Sequence, residues 1–217
     1  MDIKYTIEFF SYWHCGSGLS AGADVDLLTI KDEHYLPYVP GKTLKGLIRE
    51  AAENLSSFNP EEYASSDELC IVFGKTPNDK YTQGSADNTV GCAFFSNAEL
   101  PDIDKATFGR LYEEYKAKID KQNDETKKRI DIWKIVSSYL YERINSTAID
   151  EKGIAKEHSL RRIEVALPCV LTGTILNLPD NNVKIQHTLK DSLKFIKRLG
   201  ENRNRGLGRC RFTIINE

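Results

Sequence analysis

Leu36-Pro37-Tyr38-Val39-Pro40-Gly41-Lys42-Thr43-Leu44-Lys45-Gly46-Leu47-Ile48-Arg49 is the stretch on which the fold turns. Two prolines stiffen an extended lead-in, and a helix is expected from about Thr43 to Leu55. Leu44, Leu47, Ile48, Ala51, Ala52 and Leu55 would form its apolar face. Lys42, Lys45 and Arg49 fall on one stripe of the other face, beside Gly46, which blocks nothing. The helix start, with Gly41, Lys42 and Thr43, gathers backbone N–H groups and the positive end of the helix dipole. One face thus suits a core and the other suits phosphate. A helix merely decorated with solvated lysines would look the same, so a second basic element is needed to decide.

Gly200-Glu201-Asn202-Arg203-Asn204-Arg205-Gly206-Leu207-Gly208-Arg209 supplies that element. Glycines around Arg203 and Arg205 give a loop able to wrap a backbone, with guanidinium forks for phosphate oxygens. Lys190, Lys194 and Lys197 precede it at helical spacing, and Arg209 follows. The alternative is a C-capping Gly200 and a plain turn carrying solvated arginines. Charge distribution favours phosphate: residues 186–217 hold eight basic and three acidic side chains, a local +5 on a chain of net −2.

Outward from these two elements, Lys4 to Trp13 reads as a first strand, Gly16 to Gly22 as a glycine-rich loop, and Val25 to Ile30 as a short extended arm. Lys75 to Val90 is a polar loop, Cys92 to Leu100 a second strand, and Lys105 to Arg129 a charged helical insertion. Helical periodicity returns from Ile130 to Ile144 through Trp133, Val136, Tyr139 and Leu140. A polar, basic arm runs from Ser146 to Arg162. A third strand (Ile163 to Leu178), a second helix (His187 to Leu199) and a last strand (Gly208 to Asn216) complete the chain. Two β-α-β halves predict an α+β fold: a ferredoxin-like, RRM-type palm forming one domain over 1–217. It would carry a helical insertion at about 101–144 and a β-hairpin arm at about 145–165.

Several chemistries are excluded or weak. A phosphate-binding P-loop needs a glycine five residues before Gly41, where the chain has Leu36. Asp24-Val25-Asp26 matches the DxD of metal-dependent transferases, a pattern too short to carry weight alone. Five scattered cysteines without zinc-ligand spacing suggest reduced thiols in a cytoplasmic protein. No apolar run is long enough for a bilayer, so no membrane partner is expected.

Taken in order, these motifs resemble the RAMP superfamily of CRISPR-associated RNA-binding proteins, and within it the backbone subunit of type III effector complexes. The resemblance is carried by the loop from His14 to Gly22, by Asp26-Leu27-Leu28-Thr29-Ile30-Lys31-Asp32, and by Leu36 to Gly46. Phe73-Gly74, Phe94-Phe95-Ser96-Asn97-Ala98 and Arg203 to Gly208 extend it. Thr147-Ala148-Ile149-Asp150 would begin a thumb hairpin that ends in Arg161 and Arg162. The chain departs from the family pattern in Lys42, Asn97, Glu151 and the long insertion.

The resemblance implies a palm that grips guide (CRISPR) RNA through Lys42, Thr43, Lys45, Arg49, Lys190, Lys194, Arg203, Arg205 and Arg209. It also implies stacking on copies of itself and on other type III subunits, and a thumb that kinks the guide–target duplex. Asp26, with Asp24 as alternate, would occupy the position of the catalytic, metal-holding aspartate that supports Mg²⁺-dependent cleavage of target RNA. The alternatives are a non-catalytic structural subunit capping the filament, or a guide-processing ribonuclease using His14, His34 or His187 as base.

Overall fold

Alternation in Ile3-Lys4-Tyr5-Thr6-Ile7-Glu8-Phe9 makes β1 (Ile3–Phe9) a half-buried strand, with Ile3, Tyr5, Ile7 and Phe9 turned inward. The computed structural model describes residues 2–20, 25–75, 89–121 and 131–215. Helices α1 (Gly41–Phe58) and α2 (Ser66–Phe73) follow, then short strands β2 (Gly74–Lys75), β3 (Thr89–Val90) and β4 (Phe94–Phe95). Next come α3 (Asp102–Lys121), α4 (Ile132–Ser137) and the hairpin β5 (Tyr141–Ser146) and β6 (Arg161–Ala166). The chain closes with β7 (Val170–Leu176), α5 (Val183–Phe195) and β8 (Cys210–Ile215).

The fold is mixed α+β. Its main sheet has the order β4-β7-β1-β8, every pairing antiparallel. Leu44, Ile48, Ala51 and Ala52 of α1 and Ile185, Leu189 and Leu193 of α5 join Tyr5, Ile7, Leu171, Ile175 and Phe212 in one core. The opposite sheet face carries Lys4, Thr6, Glu8, Thr172, Thr174, Arg211 and Thr213 and is not covered by these helices.

Several elements differ from the sequence-based expectation, each for a physical reason. The third strand is two, because Pro168 has no N–H for a ladder and breaks it between β6 and β7. Helical periodicity stops at Leu140: Tyr141 pairs with Ala166 and the chain turns into β5, so tertiary pairing overrides the 3.6-residue pattern. The second strand shrinks to Phe94–Phe95, continued by bridges from Ala98 to Val39 and from Glu99 to Thr172. Two helices start on capping residues outside the expected ranges. Ser65 and Glu68 form a reciprocal capping box for α2, and the Asn182 side chain caps α5 several residues before His187. Most of the polar loop expected over 75–90, and the end of the charged insertion, lie outside the described residues.

The 25–31 segment lies alongside β6. Asp26 N–H donates to Arg162 O (2.9 Å), Glu164 N–H to Leu27 O (3.0 Å), and Lys31 Nζ meets Glu164 Oε1 at 2.9 Å. Beyond Ser146 the connection to β6 is largely exposed, with Ile149, Ile154 and Leu160 open to solvent. It is drawn in at its base by Thr147 and Ala148 bonding Ser159 Oγ. Helices α3 and α4 are fastened by Trp133, stacked between His34 (4.3 Å between centroids) and Tyr112 (4.7 Å).

Candidate nucleic-acid interface

The start of α1 is a packing site as well as a charged one. Gly41 is buried, and a Cβ there would collide with the carbonyl oxygen of Phe95, so glycine lets the helix meet β4 backbone to backbone. Its N–H donates to Asn97 Oδ1 at 2.9 Å, while Thr43 and Leu44 N–H groups go to Pro40 O. The expectation of a cluster of free N–H donors is corrected accordingly: Asn97, from the β4 loop, caps the helix. What faces solvent is Lys42, Thr43 and Gly46.

The C-terminal loop is hung on the strand extension after β1. Glu201 N–H donates to His14 O (2.8 Å) and Gly208 N–H to Tyr12 O (2.7 Å). Gly200, at φ +96°, sits where a Cβ would strike the His14 carbonyl oxygen. This anchoring brings the loop against α1. Lys42, Thr43, Gly46 and Glu50 line one cavity of about 430 Å³ with Gly16, Ser17, Gly200, Glu201 and Arg203. The two basic elements, far apart in sequence, therefore share a cradle. Its charge is partly compensated: Arg203 Nη2 lies 3.9 Å from Glu50 Oε2, and Arg49 Nε donates to Glu53 Oε1 at 2.8 Å.

A second cavity, of about 450 Å³, opens at the root of the β5–β6 hairpin. Asp26, Arg161, Asn202, Arg205 and Glu201 line it, over an apolar floor of Leu27, Ile144, Ile163 and Leu207. Asp26 is exposed, yet it is held at two points: its N–H on Arg162 O, and its Oδ2 accepting from Arg162 N–H at 2.7 Å. Asp24 lies outside the described residues. Among the described residues no group of three or more His, Cys, Asp or Glu side chains could hold a metal ion. Asp26 and Glu201 are the two carboxylates that line this cavity.

The remaining sequence candidates are distributed more widely. Lys45 and Lys190 are half-buried on α1 and α5 and line neither cavity; Lys194 pairs with Asp191 at 3.0 Å. Arg209 faces a separate depression with Lys197, Arg198, Arg211 and Phe10. Ile149 and Asp150 lie out on the arm, where Asp150 Oδ1 accepts from the N–H groups of Lys152 and Ile154 and closes a turn. The three histidines occupy different surroundings: His34 stacks on Trp133, and His187 stacks on Tyr63 with Glu62 at 3.3 Å. Of the aromatic residues near the loops, Trp13 is fully buried on Phe9, whereas Tyr12 is partly exposed.

His14, one of the candidate bases in the sequence, lies behind the site rather than on its surface. It is fully buried, and its Nδ1 lies 2.6 Å from Glu164 O, which can only accept. Nδ1 therefore carries the proton, and Nε2, with no hydrogen-bond partner, points at Glu201 Oε2, 3.6 Å away. Glu201 lines both cavities, so this buried imidazole stands behind their shared wall. Cys15 lies beside it, its thiol pushed up to about 12 by burial, and is an inert core group.

The model of the RAMP superfamily matches residues 6–211, and the chain belongs to that superfamily. Among solved structures, a chain of "Cryo-EM structure of the Type III-B Cmr-beta bound to cognate target RNA" is similar at TM-score 0.65 and 13% identity. It covers 99% of this chain and 97% of its own. A chain of "Type III-B Cmr-beta Cryo-EM structure of the Apo state" is similar at TM-score 0.62 and 16% identity, covering 100% and 98%. No curated protein sequence matches. No helix among the described residues is long and apolar enough to cross a membrane.

Proposed function

We propose that this chain is an RNA-binding subunit of a type III CRISPR effector complex, holding guide RNA in the cradle between α1 and the C-terminal loop. The carrying observation is the cavity in which Lys42 and Thr43 meet Gly200 and Arg203. The sheet order β4-β7-β1-β8, with α1 and α5 on one face, supports a ferredoxin-like palm. The β5–β6 hairpin supports a thumb beside it. The similar chains belong to an assembly that, in one case, is bound to target RNA. That supports copies of this chain and other subunits of such a complex as its partners, while five free cysteines support the cytoplasm as its compartment.

The second cavity carries the catalytic half of the reading. RNA brings its own nucleophile, the 2′-hydroxyl, and cleavage requires that it be aligned with the leaving 5′-oxygen. Arg161 and Arg205 flank Asp26 and would hold a kinked phosphodiester against it. The Asp26 carboxylate, fixed by Arg162 N–H through Oδ2, keeps Oδ1 for the 2′-hydroxyl proton or for a cation. A Mg²⁺ ion at Asp26 would supply offsetting charge on the reacting phosphate.

The test is target cleavage by the assembled complex. Asp26→Asn keeps a carbonyl oxygen for Arg162 N–H, so the hairpin root stays in place. Cleavage is expected to fall by about a hundredfold or more while guide binding is unchanged. Undiminished cleavage in this variant would remove Asp26 from the chemistry, and no cleavage by wild type would leave a structural subunit.

A further inference from the structure

We propose a second nucleotide site at the corner of the sheet around Phe10, where Arg198 and Arg209 take a phosphate and Phe10 with Arg211 takes the attached base. The proposal rests on the nucleic-acid reading and extends it to a surface outside both cavities above. Arg209 and Arg211 flank the buried Cys210, so both project from the sheet face that the helices leave open. Phe10 continues β1 on that face, 43% exposed, with its N–H on Arg209 O at 2.8 Å. The Arg211 guanidinium lies over its ring, 5.1 Å from the centroid.

The charge arrangement calls for an anion. Arg198 and Arg209 face one another across an isolated antiparallel bridge, a placement of like charges that destabilises a ladder. Lys197 is beside them, and these four cations and Phe10 surround a depression of about 390 Å³ whose lining includes no carboxylate. Glu8 stands across from Arg211 in register, yet among the described residues none of the four cations forms an ion pair. In the cradle, by contrast, Glu50 approaches Arg203.

Flat faces favour a nucleotide over an acidic protein segment. An aromatic ring and a guanidinium plane offer stacking to any base, while two further forks suit phosphate oxygens. The position is also reachable: Lys197 and Arg198 line the adjoining depression together with Glu50 and Arg203. A strand leaving the cradle around the outside of the C-terminal loop arrives at Phe10.

Binding of an end-labelled single-stranded oligouridylate to the full chain, followed by fluorescence anisotropy, tests this. Arg198→Ala with Arg209→Ala should weaken binding roughly tenfold and flatten the salt slope by about 0.7, the contribution of one phosphate on a single strand. Phe10→Leu should weaken it about tenfold with the slope unchanged. Because Arg198 also holds the Arg203 carbonyl (3.1 Å), Arg209→Ala alone serves as a second variant, expected to lose about half of that slope change. In wild type, a 5-iodouridine oligonucleotide should photocrosslink to the peptide containing Phe10. If these variants bind like wild type while Lys42→Ala with Arg203→Ala binds weakly, this site is overturned and the cradle stands. If they release a protein subunit of the complex and keep RNA, the corner is a protein-docking surface and the proposal fails. If wild type does not bind RNA at all, the underlying reading falls first.

Discussion

The two cavities that share Glu201 differ in what they present. The one beneath α1 combines Lys42, Thr43 and Arg203 with open glycines, and its charge is tempered by Glu50 and Glu201. The one beneath the hairpin sets a single pinned carboxylate, Asp26, between Arg161 and Arg205. On the proposed reading the first holds a strand without reacting with it. The second puts an acidic group where a phosphodiester would be clamped. On the proposed reading, binding and chemistry are separated by the width of one loop, whose anchor is the backbone around His14.

Perturbing the cradle's foundation should have the largest effect on that contrast. Gly41→Ala drives a methyl into the Phe95 carbonyl at the helix–sheet contact, and is expected to cost about 2–3 kcal/mol of stability, read as a lower urea midpoint. RNA affinity should fall with it, because the helix start that carries Lys42 and Thr43 must shift. Glu201→Gln acts on the shared wall. Removing its charge should strengthen guide binding about threefold, and weaker binding would mean that the carboxylate organises the loop through His14. The smallest effect lies away from both cavities. Hydrogen bonds from Asn182 and Ser65 hold the Glu68 carboxyl below its usual range. Its contribution is complete above the ordinary carboxylate pKa and is lost as pH falls through the depressed folded value. The Tm should drop by roughly a degree or two over that acid range in wild type and less in Glu68→Gln, with RNA affinity at neutral pH equal in both.

Much of this arrangement was legible in the chain. The apolar stripe of α1, the alternation of β1 and the basic bias of the last thirty-two residues were local signals that the fold kept, whereas the helical period past Leu140 gave way to strand pairing. What the sequence hid was pairing across distance. Nothing near Gly41 announces that Asn97 will take its N–H. The Arg49–Glu53 pair is different: at i,i+4 on one helix it is a local signal that competes with phosphate for Arg49. His14 reads in the sequence as a possible base, but its burial depends on Thr29 and Glu164 farther along the chain. Phe10 and Arg198 stood outside every motif and come together only because β1 and β8 are adjacent.

The most direct test of the shared cradle is the salt dependence of single-stranded RNA binding, compared between wild type and Lys42→Ala with Arg203→Ala. If α1 and the C-terminal loop grip one strand, wild-type affinity falls steeply with salt and the double variant loses roughly 1.4 from the log–log slope. A salt-independent affinity, or a slope identical in the two proteins, would contradict it.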